Sequence, residues 1–381
     1  MDDLICVRLV HFKERTVHCP SCVDIYSLDC TNTTQQCVYP TPSYSPGPLT
    51  PRQAQASTSG ERVPARGGHT CVVADFQLVV FGGTFFKGNG EFAYLADTWV
   101  LDIESMTWQE VRCGGDLPDA RYGHSCHLVG SRMFIVGGKG RSGQLYRDVH
   151  FLDLVDWTWV AVNATSTGPS PRFWQASVLV GHKIVVHGGW NGSNHCYEDL
   201  WVFDTDSFAW MQPRTGGLPP TGRYGHAMVL LPDGRILLSG GATLDEKCVP
   251  VYHKDLKQLD TETMLWSKAK TTGGVRISSR CNHTLTSDEE GRAALLFGGW
   301  GLGGLQHHQN NKRAGAVTLA ACSMLPHEAV STNLPLLRGR GEPEHKYGHT
   351  CVSVGNAFFV FGGWNGQQAC NEIVVFELES G

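Results

Sequence analysis

Arg121-Tyr122-Gly123-His124, followed shortly by Met133-Phe134-Ile135-Val136-Gly137-Gly138, is the stretch that decides the fold, because the pair recurs six times along 381 residues. The apolar-glycine-glycine copies are Leu78–Gly83, Met133–Gly138, Ile184–Gly189, Ile236–Gly241, Ala294–Gly299 and Phe358–Gly363. The leads before them are Arg66-Gly67-Gly68-His69, Arg121-Tyr122-Gly123-His124 and Arg223-Tyr224-Gly225-His226. Looser leads stand at Arg172-Phe173-Trp174-Gln175, Arg280-Cys281-Asn282-His283 and Lys346-Tyr347-Gly348-His349. Equivalent His or Gln positions are 55, 51, 51, 57 and 66 residues apart. Self-similarity at this period marks a repeat architecture.

Each unit reads as four short strands. In the second copy, Gly123 to Val129 alternates, and Arg132 to Val136 is a continuous apolar run stopped by Gly137-Gly138. A polar loop follows, then Asp148 to Asp153 and Trp157 to Val162, before a Thr-Gly-Pro-Ser-Pro break at 167–171. Strands of this length separated by turn residues describe an all-β meander. The third strand repeats an acid, four residues, an acid: Asp97 to Asp102, Asp148 to Asp153, Asp199 to Asp204 and Asp255 to Asp260. Trp108, Trp159, Trp210 and Trp266 then mark the fourth strand.

The R-x-G-H lead, the apolar-GG strand and the spaced tryptophan resemble the kelch repeat over roughly residues 49–381. The resemblance implies a β-propeller of four-stranded blades stacked radially, since one blade cannot bury both faces of its own sheet. Six copies imply six blades, at about 66–120, 121–171, 172–222, 223–279, 280–343 and 344–381. The fifth copy lacks the fourth-strand tryptophan, and its outer strands are expected near Ala316–Leu325 and Ser331–Leu337. The sixth stops after Glu372–Glu377, one strand short. A short sheet leaves an open edge, so the expected donor is the N-terminal segment around Leu49 to Ala56 (blade six taking residues 49–60).

Residues 1–48 form a cysteine-rich leader and linker that reads as flexible. Cys19, Cys22, Cys30 and Cys37 space as C-x2-C-x7-C-x6-C. One close pair suits a corner of a zinc tetrahedron, but the second half lacks a matching pair, so the candidate is weak and no cofactor is expected. Net charge is −5 with no long single-sign run, which argues against a nucleic-acid partner. No apolar stretch approaches the roughly 20 residues of a membrane helix. Fourteen cysteines without a signal sequence read as reduced thiols of a cytoplasmic protein, and the propeller is expected to be monomeric.

In an antiparallel meander, the loop after each GG and the linker carrying each lead open on the same face. The candidate partner-binding residues therefore collect there: Arg66, Arg121, Arg172, Arg223, Arg280 and Lys346, with Tyr122, Trp174, Tyr224 and Tyr347 beside them. After the glycine pairs stand Trp190, Trp300 and Trp364, and Asn191 and Asn365. A mouth of cations and aromatics suits a protein or peptide partner, with an acidic segment or free C-terminus held by arginine forks. The competing reading is that Arg and His recur because every blade needs them structurally. No G-x-S-x-G, H-E-x-x-H or Walker sequence occurs, and no copper or iron motif of the enzymatic kelch proteins. The expectation is a non-enzymatic interaction module or scaffold, similar in architecture to Rab-effector kelch proteins. A divergent ubiquitin-ligase substrate adaptor and a metal-dependent kelch enzyme are the alternatives.

Overall fold

A computed structural model describes residues 50–272, 277–288, 291, 293–301, 320–323, 330–331 and 346–379. The cysteine-rich leader, with Cys19, Cys22, Cys30 and Cys37, lies outside the described residues. The described chain is an all-β propeller with a single 3-10 turn at Arg141–Gly143. No helix is long and apolar enough to cross a membrane.

The strands form six sheets of four or five strands and one two-stranded ribbon. Sheet one runs Thr70–Ala74, Gln77–Gly88, Glu91–Asp102 and Thr107–Val111, each antiparallel to the one before it. Sheets two to four repeat this order. Sheet five uses Thr284–Ser287, Ala293–Phe297, Ala320–Ser323 and Val330–Ser331, and the rest of the expected outer-strand ranges lies outside the described residues. In sheet six, Thr50–Ala56 pairs antiparallel with Ile373–Glu379, from Thr50 opposite Glu379 to Ala56 opposite Ile373. Sheets one, two, four and five also gain a two-residue parallel strand from the preceding linker, such as Gly114–Gly115 beside Thr158 and Trp159.

Alternation explains why the second strand of each unit is apolar throughout. In sheet one, Leu78 and Val80 join a core with Phe359, Phe361 and Ile373 of sheet six. Val79 and Phe81 point the other way, into a core with Met133, Ile135 and Leu152 of sheet two. Successive residues of a strand face opposite sides of its sheet, and a strand buried on both sides has no polar face to show. The same division continues between sheets two and three, three and four, four and five, and five and six. With the core between six and one, the interfaces form a closed cycle. Trp108, Trp159, Trp210 and Trp266 each pack back onto the preceding sheet. Phe81 meets Trp159 with ring centroids 4.8 Å apart, and Phe361 meets Trp108 at 4.9 Å. A fully buried aromatic or aliphatic side chain of this kind contributes about 1.5–3 kcal/mol.

The glycine pairs sit where neighbouring sheets meet. Gly82 has φ +66° and Gly83 φ +101°. A Cβ on Gly82 would stand 2.8 Å from the Arg121 carbonyl oxygen, and one on Gly83 would stand 2.9 Å from the His69 Cβ. That closeness lets the Gly83 amide donate to the Arg121 carbonyl at 2.8 Å. The equivalent bonds run from Gly138 to Arg172, Gly189 to Arg223, Gly241 to Arg280, Gly299 to Lys346 and Gly363 to Arg66. The last one returns to sheet one.

Candidate functional site

The mouth is built from the repeat leads and the residues after each glycine pair. Backbone bridges join them in every unit: Gly67 with Thr84, Tyr122 with Lys139, Phe173 with Trp190, Tyr224 with Ala242, Cys281 with Trp300 and Tyr347 with Trp364. The two sets of segments thus share one face, as the meander geometry requires.

The arginines do not line that face. Arg66, Arg121, Arg172 and Arg223 are at most 2% exposed. Each guanidinium grips the first acid of its own third strand through two bonds: Arg66 to Asp97 at 2.9 and 2.8 Å, and Arg121 to Asp148 at 2.6 and 2.9 Å. Arg172 holds Asp199 at 2.5 and 2.9 Å, and Arg223 holds Asp255 at 2.7 and 3.1 Å. A further N–H reaches the carbonyl of the first glycine of the pair, as from Arg66 to Gly82 at 3.0 Å, and Nε donates two residues back. Burial alone would raise the Asp199 carboxyl, but the Arg172 bonds and charge hold it below the usual range. Arg280 donates to the Gly298 and Ser278 carbonyls, and Lys346 pairs with Glu372 at 3.0 Å. The expectation of a ring of cations awaiting a carboxylate is therefore corrected. Arg66, Arg121, Arg172 and Arg223 fasten linker, glycine pair and third strand together, Arg280 joins linker to glycine pair, Lys346 reaches Glu372, and all six side chains are buried.

Asn191 and Asn365 are likewise committed. The Asn191 Oδ1 accepts from the Ser193 and His195 amides, and the Asn365 Oδ1 from the Gln367 and Gln368 amides. They shape the Trp-Asn-Gly loops of sheets three and six, which stand opposite each other in the six-membered cycle.

The aromatic residues remain at the mouth. Trp190 stacks between Phe173 and Tyr224, with centroids 5.2 and 5.3 Å away. Trp300 meets Tyr347 at 5.1 Å, and Tyr122 meets Trp174 at 5.9 Å. Trp364 lies over Gly67, where a Cβ would come within 2.1 Å of its Nε1. That explains why this lead alone carries glycine at its second position. Trp174, Trp190, Trp300 and Trp364 are all partly exposed.

At the centre, the third residues of the six leads form a backbone ring. The Gly123 amide donates to Gly68, Trp174 to Gly123, Gly225 to Trp174, Asn282 to Gly225, Gly348 to Asn282 and Gly68 to Gly348, at 2.6–2.9 Å. Every member is left-handed, with φ between +54° and +67°. Four are glycine, the residue that adopts this conformation freely. Trp174 and Asn282 are the exceptions, and such positions cost of order 1–3 kcal/mol. The Trp174 indole reaches across the opening. Its far edge lies 3.1 Å from where a Cβ on Gly68 would stand and 3.3 Å from one on Gly348.

Beneath the ring the lead histidines are buried and bridge sheets. Nε2 of His124, His349 and His69 each pair with a threonine hydroxyl of the neighbouring sheet, Thr70, Thr284 and Thr350, at 2.8–3.1 Å. Burial drives their pKa down, to about 3 for His124 and His349, so they are neutral.

Two walls were not foreseen from the sequence. In sheet one the second and third strands continue past the glycine pair as a hairpin exposing Phe86 and Phe92, 45% and 48% accessible. In sheet four, the ribbon of Ala242–Leu244 and Pro250–Tyr252 exposes Val251. Sheets one and four also stand opposite each other. The signal is the apolar run Phe92-Ala93-Tyr94-Leu95-Ala96, which extends the strand back from Asp97, the first acid of the repeated pattern.

A family model, the KLHDC2/KLHL20/DRC7 Kelch-repeats domain, matches residues 50–241 and 235–381. Among curated proteins, Adagio protein 3 of Arabidopsis thaliana is 31% identical over 80% of this chain and 48% of its own length. Acyl-CoA-binding domain-containing protein 4 of the same plant is 29% identical over 61% of this chain and 34% of its own length. Host cell factor 1 of Rattus norvegicus is 25% identical over 84% of this chain and 17% of its own length. The chain thus spans less than half the length of these relatives. Among solved structures, that of YjhT superposes with a TM-score of 0.57 at 16% identity, covering 84% of this chain and 99% of its own, a likeness of fold.

Proposed function

We propose, because the chain belongs to the KLHDC2/KLHL20/DRC7 Kelch-repeats family, that it is a non-enzymatic module binding a peptide or protein at its aromatic mouth. Tyr122, Trp174, Tyr224, Tyr347, Trp190, Trp300 and Trp364 are the contact residues in this reading. The ring behind them is six-bladed and closed by the N-terminal strand. The observation that carries the proposal is a contrast within each repeat. The clamps and the glycine pairs are nearly uniform from unit to unit. The residues after the glycines differ, and three are partly exposed tryptophans that the frame does not require. Tryptophan dominates interface energies where it can be desolvated by a partner. The buried arginines supply no reason for an acidic ligand, so recognition rests on apolar and aromatic contact. A cytoplasmic setting belongs to the same reading, supported by the eight cysteines whose side chains are described, each a free thiol.

The test is affinity capture with quantitative mass spectrometry, comparing the full chain with a Trp190→Ala, Trp300→Ala, Trp364→Ala triple variant. Partners retained by the wild type and lost by a folded triple variant are expected. Identical partner sets from two folded proteins would move recognition to another face.

A further inference from the structure

Sheet three carries a group of side chains that neither the repeat frame nor the mouth explains. His182 sits in the turn between Ala176–Val180 and Lys183–His187, and Asp204 and Asp206 lie at the turn after Leu200–Asp204. These turns are at the end of the sheet away from the glycine pair, on the face opposite the mouth. His182 Nε2 is 3.5 Å from Asp204 Oδ2 and 3.8 Å from Asp206 Oδ2. The three ligand atoms lie within 4.8 Å of one another, the only group of its kind among the described residues.

We propose that His182, Asp204 and Asp206 form a three-ligand site for a divalent transition ion of the zinc class, with a fourth position open to water. Zinc bonds of about 2.0–2.2 Å at tetrahedral angles place ligand atoms roughly 3.3–3.5 Å apart. The two measured separations from the imidazole are at that spacing or a few tenths of an ångström beyond it. One imidazole with two carboxylates suits zinc, nickel or copper, whereas an all-oxygen set would suit magnesium or calcium.

The ligands stand on a rigid corner. The Thr205 amide and hydroxyl both donate to the His182 carbonyl, at 3.1 and 2.7 Å, which locks the two turns together. Asp204 Oδ1 accepts from Asp206 and Ser207, which aims Oδ2 toward the imidazole. Hydrogen bonds to the far side of a ligand orient it for a metal. The Asp204 position is common to the repeat, as Asp102, Asp153 and Asp260 show. The other two ligands are not. The residue two beyond that acid is Glu104 in sheet one, Val155 in sheet two and Glu262 in sheet four, and only sheet three places a histidine in the facing turn. Lys183 Nζ, 3.9 Å from Asp204 Oδ2, competes for the carboxylate and is exposed enough to swing away.

The experiment titrates Co2+ into the full-length protein, follows its visible absorption and displaces it with Zn2+, with Mg2+ as the control ion. Cobalt separates this site from the cysteines, because thiolate ligation adds an intense near-ultraviolet charge-transfer band that nitrogen and oxygen ligands lack. One equivalent without that band is expected, displaced by Zn2+ and not by Mg2+, and weakened roughly tenfold or more in His182→Ala and in Asp206→Ala. Both side chains are exposed, so both variants should melt as the wild type does. Equal Co2+ binding by wild type and the two variants, or binding by thiolates alone, overturns the site.

Discussion

Arg172 shows how much one side chain of the lead does. It donates to the Ser170 and Gly188 carbonyls and to both oxygens of Asp199. Arg172→Ala leaves the partly buried Asp199 carboxylate with only the Trp201 indole as side-chain donor and takes the guanidinium from the Gly188 carbonyl, where breaking a fully buried pair costs about 3–5 kcal/mol. Asp199 keeps some contact with water, which places the expected loss toward the lower end. Urea unfolding at neutral pH measures it. Arg172→Lys should recover only part, because an ammonium cannot make the planar fork. An unchanged midpoint in the alanine variant would return the arginine to the partner-binding set. Trp174 is the opposite case. Trp174→Gly removes a partly exposed ring and also relieves a left-handed tryptophan, so packing loss and strain relief offset each other. Its melting temperature should stay within a few degrees of wild type, whereas Trp159→Gly, which empties a fully buried site, should cost about 3–5 kcal/mol. A Trp174→Gly variant as unstable as Trp159→Gly would make Trp174 a packing residue.

At the scale of the strand, polar bonds between sheets follow a rule that two of the six sheets break. The residue after each lead His or Gln carries a hydroxyl in Thr70, Ser125, Thr284 and Thr350, which pairs with the next sheet's lead side chain. Ala176 lacks one, and there His226 Nε2 turns to His187 Nδ1 at 3.0 Å. Ala227 also lacks one, and the buried His283 ring has no side-chain partner there, with only the Ser239 backbone beside it. Ala227→Ser should supply the missing hydroxyl and raise stability by about 1 kcal/mol, read from the urea midpoint; a drop would mean the site has no room for the oxygen. The same histidines set a pH dependence. Burial lowers the pKa of His69, His124, His187, His226, His283 and His349 in the folded state. Below the unfolded value of about 6.5 the unfolded chain binds protons that the folded chain refuses, so stability rises with pH in this range. It is full above about pH 6.5 and falls continuously toward pH 3. Urea midpoints at pH 7.5, 6 and 5 should descend in that order, and a flat series would mean that the histidines titrate alike in the folded and the unfolded chain. The sheet and its glycine pair could be read in the sequence because each copy repeats the same local chemistry. The clamp could be read only in halves: the arginine and the acid are each conspicuous, but they lie 27 to 32 residues apart. Only their pairing in space shows that each satisfies the other, which is why cations that are buried looked available to a partner.

At the scale of the whole molecule, the sheets depend on one another through a cycle, and a cycle has no spare member. Each interface buries the alternate residues of two adjoining second strands, and each glycine amide bonds the next lead. The step from sheet six to sheet one uses Phe359, Phe361 and Ile373 against Leu78, Val80 and Trp108, and the Gly363 amide on the Arg66 carbonyl. Sheet six holds its place with only three strands of its own, and Thr50–Ala56 is the fourth. Removing residues 1–58 takes away that strand, bares the edge of Ile373–Glu379 and strips Ala56 from the core between sheets six and one. Because the interfaces are linked around the ring, the loss should spread beyond sheet six and lower the melting temperature of the whole propeller. Removing residues 1–40 leaves the strand in place and should change it little. Thermal melts of the two truncations against the full chain, with amide hydrogen exchange read along Ile373–Glu379, test this. The expected pattern is fast exchange and early melting for the longer deletion alone. Equal melting of both truncations would mean that sheet six is held by its core contacts and that the N-terminal strand only lies against it.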